Sequence, residues 1–259
     1  MLQTMELNIP NSMCPMTTES YQEKQQKRCD EYNSTVGKLS DYDCPICKNK
    51  GHILTVGSDG DFRMRDCQCQ QLRKSKKLLN ESGIANLMER YTFDSFKELD
   101  AEAAEAKSKA LDYIKNGNGK WFYISGRPGS GKTHICTAVC GALLATGKSV
   151  RYMVWRDVVR DLKAAANTDD YRPMMASLTS MDVLYIDDFF KGNVTEADVN
   201  IAFELLNARY NSTSKQTIIS SERTPRDLLT IDEAVGSRIY ERSRGYCLQA
   251  PNKNRRLGQ

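Results

Sequence analysis

Residues 126–133 read Gly126-Arg127-Pro128-Gly129-Ser130-Gly131-Lys132-Thr133. Few stretches of eight residues constrain a fold as strongly, because this spacing, G-x-x-x-x-G-K-[ST], is that of a loop that wraps phosphate. A glycine-rich turn aims successive backbone N–H groups at the phosphates. Lys132 reaches the terminal groups and the Thr133 hydroxyl ligates Mg²⁺. Such a loop needs a buried strand before it and a helix after it. Trp121 to Ser125 is an apolar run of strand length, and Thr133 to Ala145 is an alanine- and cysteine-rich apolar segment of helical length. The chain is therefore expected to bind a nucleoside triphosphate within an α/β fold.

From residue 119 onward, strand-like and helix-like segments alternate, with strands expected at 121–125, 150–154, 182–187, 216–221 and 245–249. This pattern predicts a three-layer α/β sandwich with a five-stranded, mostly parallel sheet and helices on both faces. The 259 residues accommodate one such domain and a small module. No apolar run approaches the ~18 residues that would span a membrane. Met1 to Met16 carries neither a basic n-region nor an apolar h-region, so the expected compartment is the cytoplasm. There, nine cysteines are expected as thiols or metal ligands rather than disulfides. The formal charge of +4 permits nucleic acid as a partner without requiring it.

The second chemical signal is Val183-Leu184-Tyr185-Ile186-Asp187-Asp188, an apolar run ending in two carboxylates. A buried strand of this kind presents its acids beside phosphates held at a neighbouring strand's tip. Asp187 would hold Mg²⁺, and Asp188 would orient and deprotonate the attacking water. The next strand, 216–221, ends in Ser220 and Ser221. Ser221, ahead of Ser220, is the candidate to bond the γ-phosphate or its water, the alternative being a serine that caps the turn before Pro225. Arg238 and Arg242 lie four residues apart on one expected helix face. That face is either solvated surface or, in an assembled ring, the source of an arginine for a neighbour's γ-phosphate.

Ahead of the main domain, Cys44-Pro45-Ile46-Cys47 and Cys67-Gln68-Cys69 flank a glycine-containing stretch. Two ligand pairs around a short hairpin are the layout of a zinc ribbon, in which four thiolates close a tetrahedron and replace a core that some thirty residues cannot build. His52 is a possible substitute for one thiolate, and a redox dithiol at Cys44/Cys47 is the competing reading. Residues 1–40 are polar with one expected helix: Ser20 and Glu23 form a capping box, and Tyr21, Cys29, Tyr32 and Val36 lie along one face. So thin a stripe implies either a disordered tail or a helix that docks on a partner protein. The expected division is 1–40, a zinc module at 41–70, a helical linker at 71–118 and the ATP-binding core at 119–256.

Taken together, residues 123–134, 184–189 and 238–242 resemble the AAA+ ATPases, specifically the DnaC/DnaI-type loaders of the bacterial replicative helicase, with their phage-encoded counterparts, within the IstB-like ATP-binding superfamily. The resemblance spans about residues 41 to 256 and implies an AAA+ core with almost no helical lid. It also implies that Gly126 to His134 contact ATP, that Arg242 or else Arg238 serves as the arginine finger, and that the core self-associates when ATP-bound. The implied partners are single-stranded DNA and the replicative helicase, the latter engaged through the amino-terminal region. Residues 155–180 resemble the extra helices that such proteins turn toward DNA. Two other functions share the phosphate loop: an IstB-type transposition helper acting on duplex DNA, and a small-molecule kinase, which leaves Asp187-Asp188 and the arginine pair without a use.

Overall fold

The computed structural model describes residues 20–81, 84–251, 253–255 and 257. Two compact units divide at Cys69/Gln70.

The first unit contains helix α1 (Tyr21–Ser34) and a hairpin of β1 (His52–Val56) and β2 (Phe62–Asp66). Helix α1 begins at the capping box: the Glu23 N–H donates to Ser20 Oγ at 3.2 Å and the Ser20 N–H to Glu23 Oε2 at 2.7 Å. The hairpin is antiparallel, pairing His52 with Asp66 and Val56 with Phe62. Its turn uses Gly60 at φ 84°, backbone that glycine adopts at little cost. The face that α1 buries differs from the expected one. Tyr21 and Val36 are exposed, whereas Gln25 and Cys29 are buried. One helical repeat further on, the Asn33 side chain donates to the Leu54 carbonyl at 2.8 Å and accepts from the Leu54 N–H at 3.0 Å. The i, i+4, i+8 face that docks on β1 is thus mostly polar, which an apolar stripe count does not detect. Helix α1 belongs to this unit, and the expected disordered tail lies, apart from α1, in residues 1–19, outside the described residues.

Helix α2 (Cys69–Glu81) leads into the second unit, followed by α3 (Ile84–Arg90), α4 (Ala101–Asn116) and β3 (Trp121–Ser125). Then come α5 (Lys132–Ala145), β4 (Val150–Val154), α6 (Trp155–Ala165), α7 (Tyr171–Thr179) and β5 (Val183–Phe189). The unit finishes with α8 (Glu196–Tyr210), β6 (Gln216–Ser221), α9 (Pro225–Ile231), α10 (Glu233–Arg242) and β7 (Cys247–Gln249). The sheet order is β4-β5-β6-β3-β7 and every pairing is parallel. Because side chains alternate along a strand, Phe122, Ile124, Val183 and Tyr185 enter one apolar layer with α4 and α5. Trp121, Tyr123, Leu184 and Ile186 enter the opposite layer with α6, α7, α8, α9 and α10. Both faces of the central strands are buried, as an all-parallel sheet requires.

Two polar devices fix the sheet to its layers, one at the edge strand β4 and one at the central strand β6. Ser75 of α2 donates to the Val150 carbonyl at 2.5 Å and accepts the Val150 N–H at 2.7 Å, satisfying the edge strand β4. Arg209 of α8 is fully buried and donates to Thr217 Oγ1 at 3.0 Å and to the carbonyls of Met181 at 3.0 Å and Gln216 at 2.5 Å. The strand expected at 182–187 runs on to Phe189, because its register with β6 shifts between Ile186 and Phe189. That shift is a bulge, and it re-aims the side chains at the strand's end. After α10 the described residues add β7 and no further helix.

Candidate functional site

The phosphate-loop motif occupies the turn from β3 into α5. Gly126, Gly129 and Gly131 sit at φ 155°, 79° and 94°. Helix α5 starts after Gly131 with no side-chain cap, so its first N–H groups and the positive end of its dipole face the loop. Lys132 is buried, and its ammonium donates to the carbonyls of Gly126 at 2.8 Å and Arg127 at 2.9 Å. Burial pulls its pKa below the ordinary lysine value, while Glu222, Asp188 and Asp187 pull it back up. Beside the loop lies a cleft of about 210 Å³, open to solvent, lined among others by Pro128, Gly129, Gly131, Lys132, Thr133, His134 and Asp188.

The two carboxylates at the end of β5 have different surroundings. Asp187 is buried and accepts from Tyr185 Oη at 2.8 Å, Tyr152 Oη at 3.2 Å and the Ser220 hydroxyl. Thr133 Oγ1 lies 3.3 Å from Asp187 Oδ1. A hydroxyl and a carboxylate facing each other at the tip of a phosphate loop form the oxygen donor set that Mg²⁺ uses together with phosphate. Burial, with Asp187 alongside, raises the phenol pKa of both Tyr152 and Tyr185, so they remain hydrogen-bond donors to that carboxylate. Asp188, one residue on, follows the bulge at φ 55° and turns into the cleft, where Lys191 Nζ lies 2.8 Å from its Oδ2.

Other expected residues fall elsewhere. Ser221 is fully buried, donates to the Phe189 carbonyl at 2.6 Å and accepts the Arg223 N–H at 3.0 Å. It ties the ends of β5 and β6 together and does not line the cleft. Ser220 is the serine that reaches Asp187, donating to its carboxylate and accepting the Asp188 N–H at 3.2 Å, because side chains alternate along β6 and only every other one faces that end of β5. Arg238 and Arg242 do share a face of α10, but neither lines the cleft. Arg238 lies over the rings of Phe203 and Tyr210 at 4.9 and 5.5 Å, Arg242 over Tyr210 at 5.4 Å, and Arg242 donates to the Ser212 carbonyl.

The cleft also contains His134, the last residue of the run expected to contact ATP, together with residues that no motif flagged. His134 stacks on Tyr91 with ring centroids 4.7 Å apart and meets Phe96 edge-on at 5.2 Å. Burial lowers its pKa, with Arg255 adding to the effect and the Thr92 carbonyl opposing it. The Arg255 N–H donates to the Gly129 carbonyl at 3.0 Å, and its guanidinium lies 4.8 Å over Phe96. Glu222 and Lys191 complete the acid and base lining. The aromatic segment 91–96 and the Asp188-x-x-Lys191 spacing were the available signals. Arg255 has none, since it joins the cleft only through tertiary structure.

In the first unit, the sulfurs of Cys44, Cys47, Cys67 and Cys69 all lie within 4.8 Å of one another and are buried. Cys44 and Cys67 Sγ are 3.7 Å apart, Cys47 and Cys69 Sγ 3.4 Å. Four thiolates at ~2.3 Å from one tetrahedral ion would stand ~3.8 Å apart, so the set fits zinc, and it is too open for disulfides at ~2.05 Å. The Gly51 N–H donates to Cys47 Sγ at 3.2 Å. Burial works to raise the Cys47 thiol, but that N–H and the neighbouring thiols bring it down to about 6. His52 does not join the set: its Nδ1 lies 3.0 Å from Asp66 Oδ1, across the hairpin.

Residues 63–242 match the family described as IstB-like ATP binding protein. The chain is 34% identical to the phage-like element PBSX protein XkdC of Bacillus subtilis (strain 168), over 80% of this chain and 82% of that protein. It is 26% identical to the replicative helicase loader DnaC of Escherichia coli (strain K12), over 66% of this chain and 70% of DnaC. Among solved structures, a replication initiator DnaA bound to AMPPCP and single-stranded DNA shares the fold at a TM-score of 0.56 and 23% identity, covering 64% of this chain and 51% of DnaA. This chain thus spans about half the length of that initiator. No described helix is long and apolar enough to cross a membrane. With the phosphate loop at the end of β3, two carboxylates at the end of β5 and these relatives, the chain belongs to the IstB-like ATP-binding family and is a replication-associated AAA+ ATPase of the DnaC type.

Proposed function

We propose that this ATPase loads a replicative DNA helicase, binding ATP with Mg²⁺ and single-stranded DNA, and using hydrolysis as an assembly switch. The observation that carries the catalytic part is that Lys132, Thr133 and Asp188 line one cleft, with Asp187 3.3 Å from the Thr133 hydroxyl, at the ends of the parallel strands β3 and β5. In this reading the loop N–H groups and Lys132 hold the triphosphate. Thr133 and Asp187 hold Mg²⁺, which supplies neutralisation of charge on the phosphate oxygens. Asp188 accepts the proton of the water that attacks the γ-phosphate, with ADP leaving in line. The DnaC relative supports the loader assignment, and a shared fold with a DNA-bound initiator supports single-stranded DNA as the ligand.

Arg238 and Arg242 stand away from their own cleft, which supports a finger offered to the next subunit. The cysteine set of the first unit holds structural zinc.

Nucleotide binding and steady-state hydrolysis of two variants test the catalytic part. Lys132→Ala is expected to weaken ATP binding and abolish hydrolysis. Asp188→Asn is expected to retain binding and slow turnover by about 10²-fold or more. Equal turnover in Asp188→Asn and the parent would refute the water-activating role. Mixing Arg242→Ala with Lys132→Ala chains is expected to restore part of the activity, since one mixed interface then holds a complete site. Co-purification of a hexameric replicative helicase, with preference for single-stranded over duplex DNA, tests loading. Preference for duplex would favour the transposition-helper reading of the same family.

A further inference from the structure

The two carboxylates at the end of β5 are held by different chemistry. Asp188 has an ammonium beside it, with Lys191 Nζ 2.8 Å from its Oδ2. Asp187 is only 7% exposed, yet its side-chain partners among the described residues are all hydroxyls. Tyr185 Oη and the Ser220 hydroxyl donate to Oδ1, Tyr152 Oη donates to Oδ2, and Thr133 Oγ1 stands 3.3 and 3.5 Å from the two oxygens. The Lys132 ammonium gives its hydrogen bonds to the carbonyls of Gly126 and Arg127 instead. Hydroxyl donors orient a carboxylate without cancelling its charge, whereas an ammonium or guanidinium does both. Asp187 is thus fixed in place and still carries a negative charge that a cation can use.

Strand register produces this arrangement. In the parallel pair β4 and β5, Tyr152 stands opposite Tyr185 and Val154 opposite Asp187. Alternate side chains share a face, so both tyrosines lie on the same side of the sheet as Asp187. That side is covered by α5, whose first turn carries Thr133. Two residues along a strand span ~6.6 Å. A tyrosine leaning along the strand bridges that distance with its hydroxyl, and a shorter side chain does not. The two rings lie 5.2 Å apart between centroids at an interplanar angle of 52°, so each restricts the other. Tyr185 is fully buried and Tyr152 half-buried. A buried phenol needs some acceptor in any core. Here two of them, from two strands, converge on one carboxylate, one on each oxygen.

We propose that Tyr152 and Tyr185 are positioning residues that set the Mg²⁺ affinity of the nucleotide site by holding both oxygens of Asp187 toward the Thr133 hydroxyl. The inference rests on the reading, given above, of Thr133 and Asp187 as the residues that hold Mg²⁺. A carboxylate fixed in advance gives up no rotational freedom when the cation arrives, and partners of this kind contribute about 10–100-fold to metal affinity. The tyrosines act only through Asp187. Removing one hydroxyl leaves the phosphate loop and Lys132 untouched, so the nucleotide still binds by its phosphates, and the loss is confined to the part of the affinity that Mg²⁺ supplies.

The test is equilibrium binding of ATP by the full chain, measured by calorimetry with EDTA and over a series of free Mg²⁺ concentrations, with urea unfolding to confirm that each variant is folded. Tyr152→Phe and Tyr185→Phe are each expected to bind ATP like the parent in EDTA and to need about tenfold more Mg²⁺ for the same gain in affinity. Asp187→Asn is expected to raise the Mg²⁺ requirement by itself, and adding Tyr152→Phe to it should then change that requirement by less than about twofold, because the hydroxyl has lost the group it acts through. Either phenylalanine variant with the parent's Mg²⁺ requirement overturns the proposal, whatever its stability, and makes that tyrosine a packing residue. A lowered requirement overturns it too, since the hydroxyl would then compete with the metal for Asp187. So does a full tenfold effect of Tyr152→Phe on top of Asp187→Asn. If Asp187→Asn alone keeps the parent's Mg²⁺ requirement, the Mg²⁺ role of Asp187 fails and takes this inference with it. If Asp187→Asn loses Mg²⁺ while the phenylalanine variants keep it, only the tyrosine inference fails.

Discussion

The two units solve the problem of a core in opposite ways. In the second, large side chains such as Trp121, Tyr123, Tyr185 and Phe122 are fully buried in two layers that sandwich a parallel sheet. In the first, the buried cluster consists of Cys44, Cys47, Cys67 and Cys69, flanked by Tyr42 and Ile53. Its strand β2 is exposed throughout, with Met64 60% and Phe62 43% exposed. At ~25 cal/mol per Å² of apolar surface removed from water, the second unit can stabilise itself by burial and the first cannot. The difference bears on the zinc proposed for the cysteines. They stand where a core would be, and a metal bound to them would supply folding free energy outright.

The largest expected effect therefore follows metal removal. Structural zinc is worth on the order of 10 kcal/mol to a small module of this kind. Chelation of the full chain, or Cys44→Ser, is expected to open the first unit while leaving the sheet folded and able to bind nucleotide. Metal analysis is expected to give about one zinc per chain in the parent. Limited proteolysis read by mass spectrometry should then show new cuts within 41–68 and continued protection of 121–250. If protection of 41–68 survives complete loss of metal, the contrast between the units fails, and stoichiometric iron would replace zinc as the resident ion.

A smaller effect probes the second unit from inside. Arg209 is the largest fully buried charged side chain among the described residues there, and its guanidinium serves Thr217 and carbonyls of Leu178, Thr179, Met181, Asp182 and Gln216. Burial lowers its pKa to about 10, with Tyr113 and Asp182 opposing, so it is still a cation at neutral pH. Arg209→Ala removes a donor from each of these acceptors, of which Asp182 and Thr179 keep the Gln216 N–H and the Lys215 ammonium, and is expected to cost about 3–5 kcal/mol. Urea unfolding of the full chain, followed by tryptophan fluorescence, measures it, since both tryptophans lie in this unit. Zinc content should not change. A coupled loss of zinc would show that the two units unfold as one.

How much of this was legible depended on how local the signal was. The phosphate loop and the β5 carboxylates are contiguous motifs, so their chemistry could be read from residue type and spacing. The parallel sheet followed from alternating apolar segments. Ser221 ranks ahead of Ser220 on sequence and behind it in the structure, because the choice depends on register and on a bulge at Ile186/Phe189. Tyr21 and Val36 were misplaced because α1 docks through Asn33 and Gln25, and hydropathy does not count a side-chain amide that clamps a strand's backbone. Arg255 and Glu222 enter the cleft by tertiary folding alone. Tyr152 stands 35 residues ahead of Asp187 and meets it only through the register of β4 against β5.

The smallest expected effect is electrostatic and distinguishes a cap on the sheet unit from solvated surface. At the start of α8, Asp198 Oδ2 accepts the Thr195 N–H at 2.7 Å, and the Asp198 N–H donates to Thr195 Oγ1 at 3.4 Å. Lys163 Nζ lies 2.9 Å from Asp198 Oδ1. Burial works against the charged form of Asp198, but the Thr195 hydroxyl, the Lys163 ammonium and the Thr195 N–H outweigh it and hold the carboxyl below the usual aspartate value. A carboxylate with a lowered folded pKa binds its proton more readily in the unfolded chain. Its contribution is present above the unfolded aspartate value of ~3.9 and disappears as pH falls through the folded value. Asp198→Asn is therefore expected to cost about 1 kcal/mol in urea unfolding at neutral pH. The gap between variant and parent should narrow as pH is taken below ~4. A gap that stays constant across that range would mean that the charge contributes nothing and that the asparagine differs from aspartate only in packing.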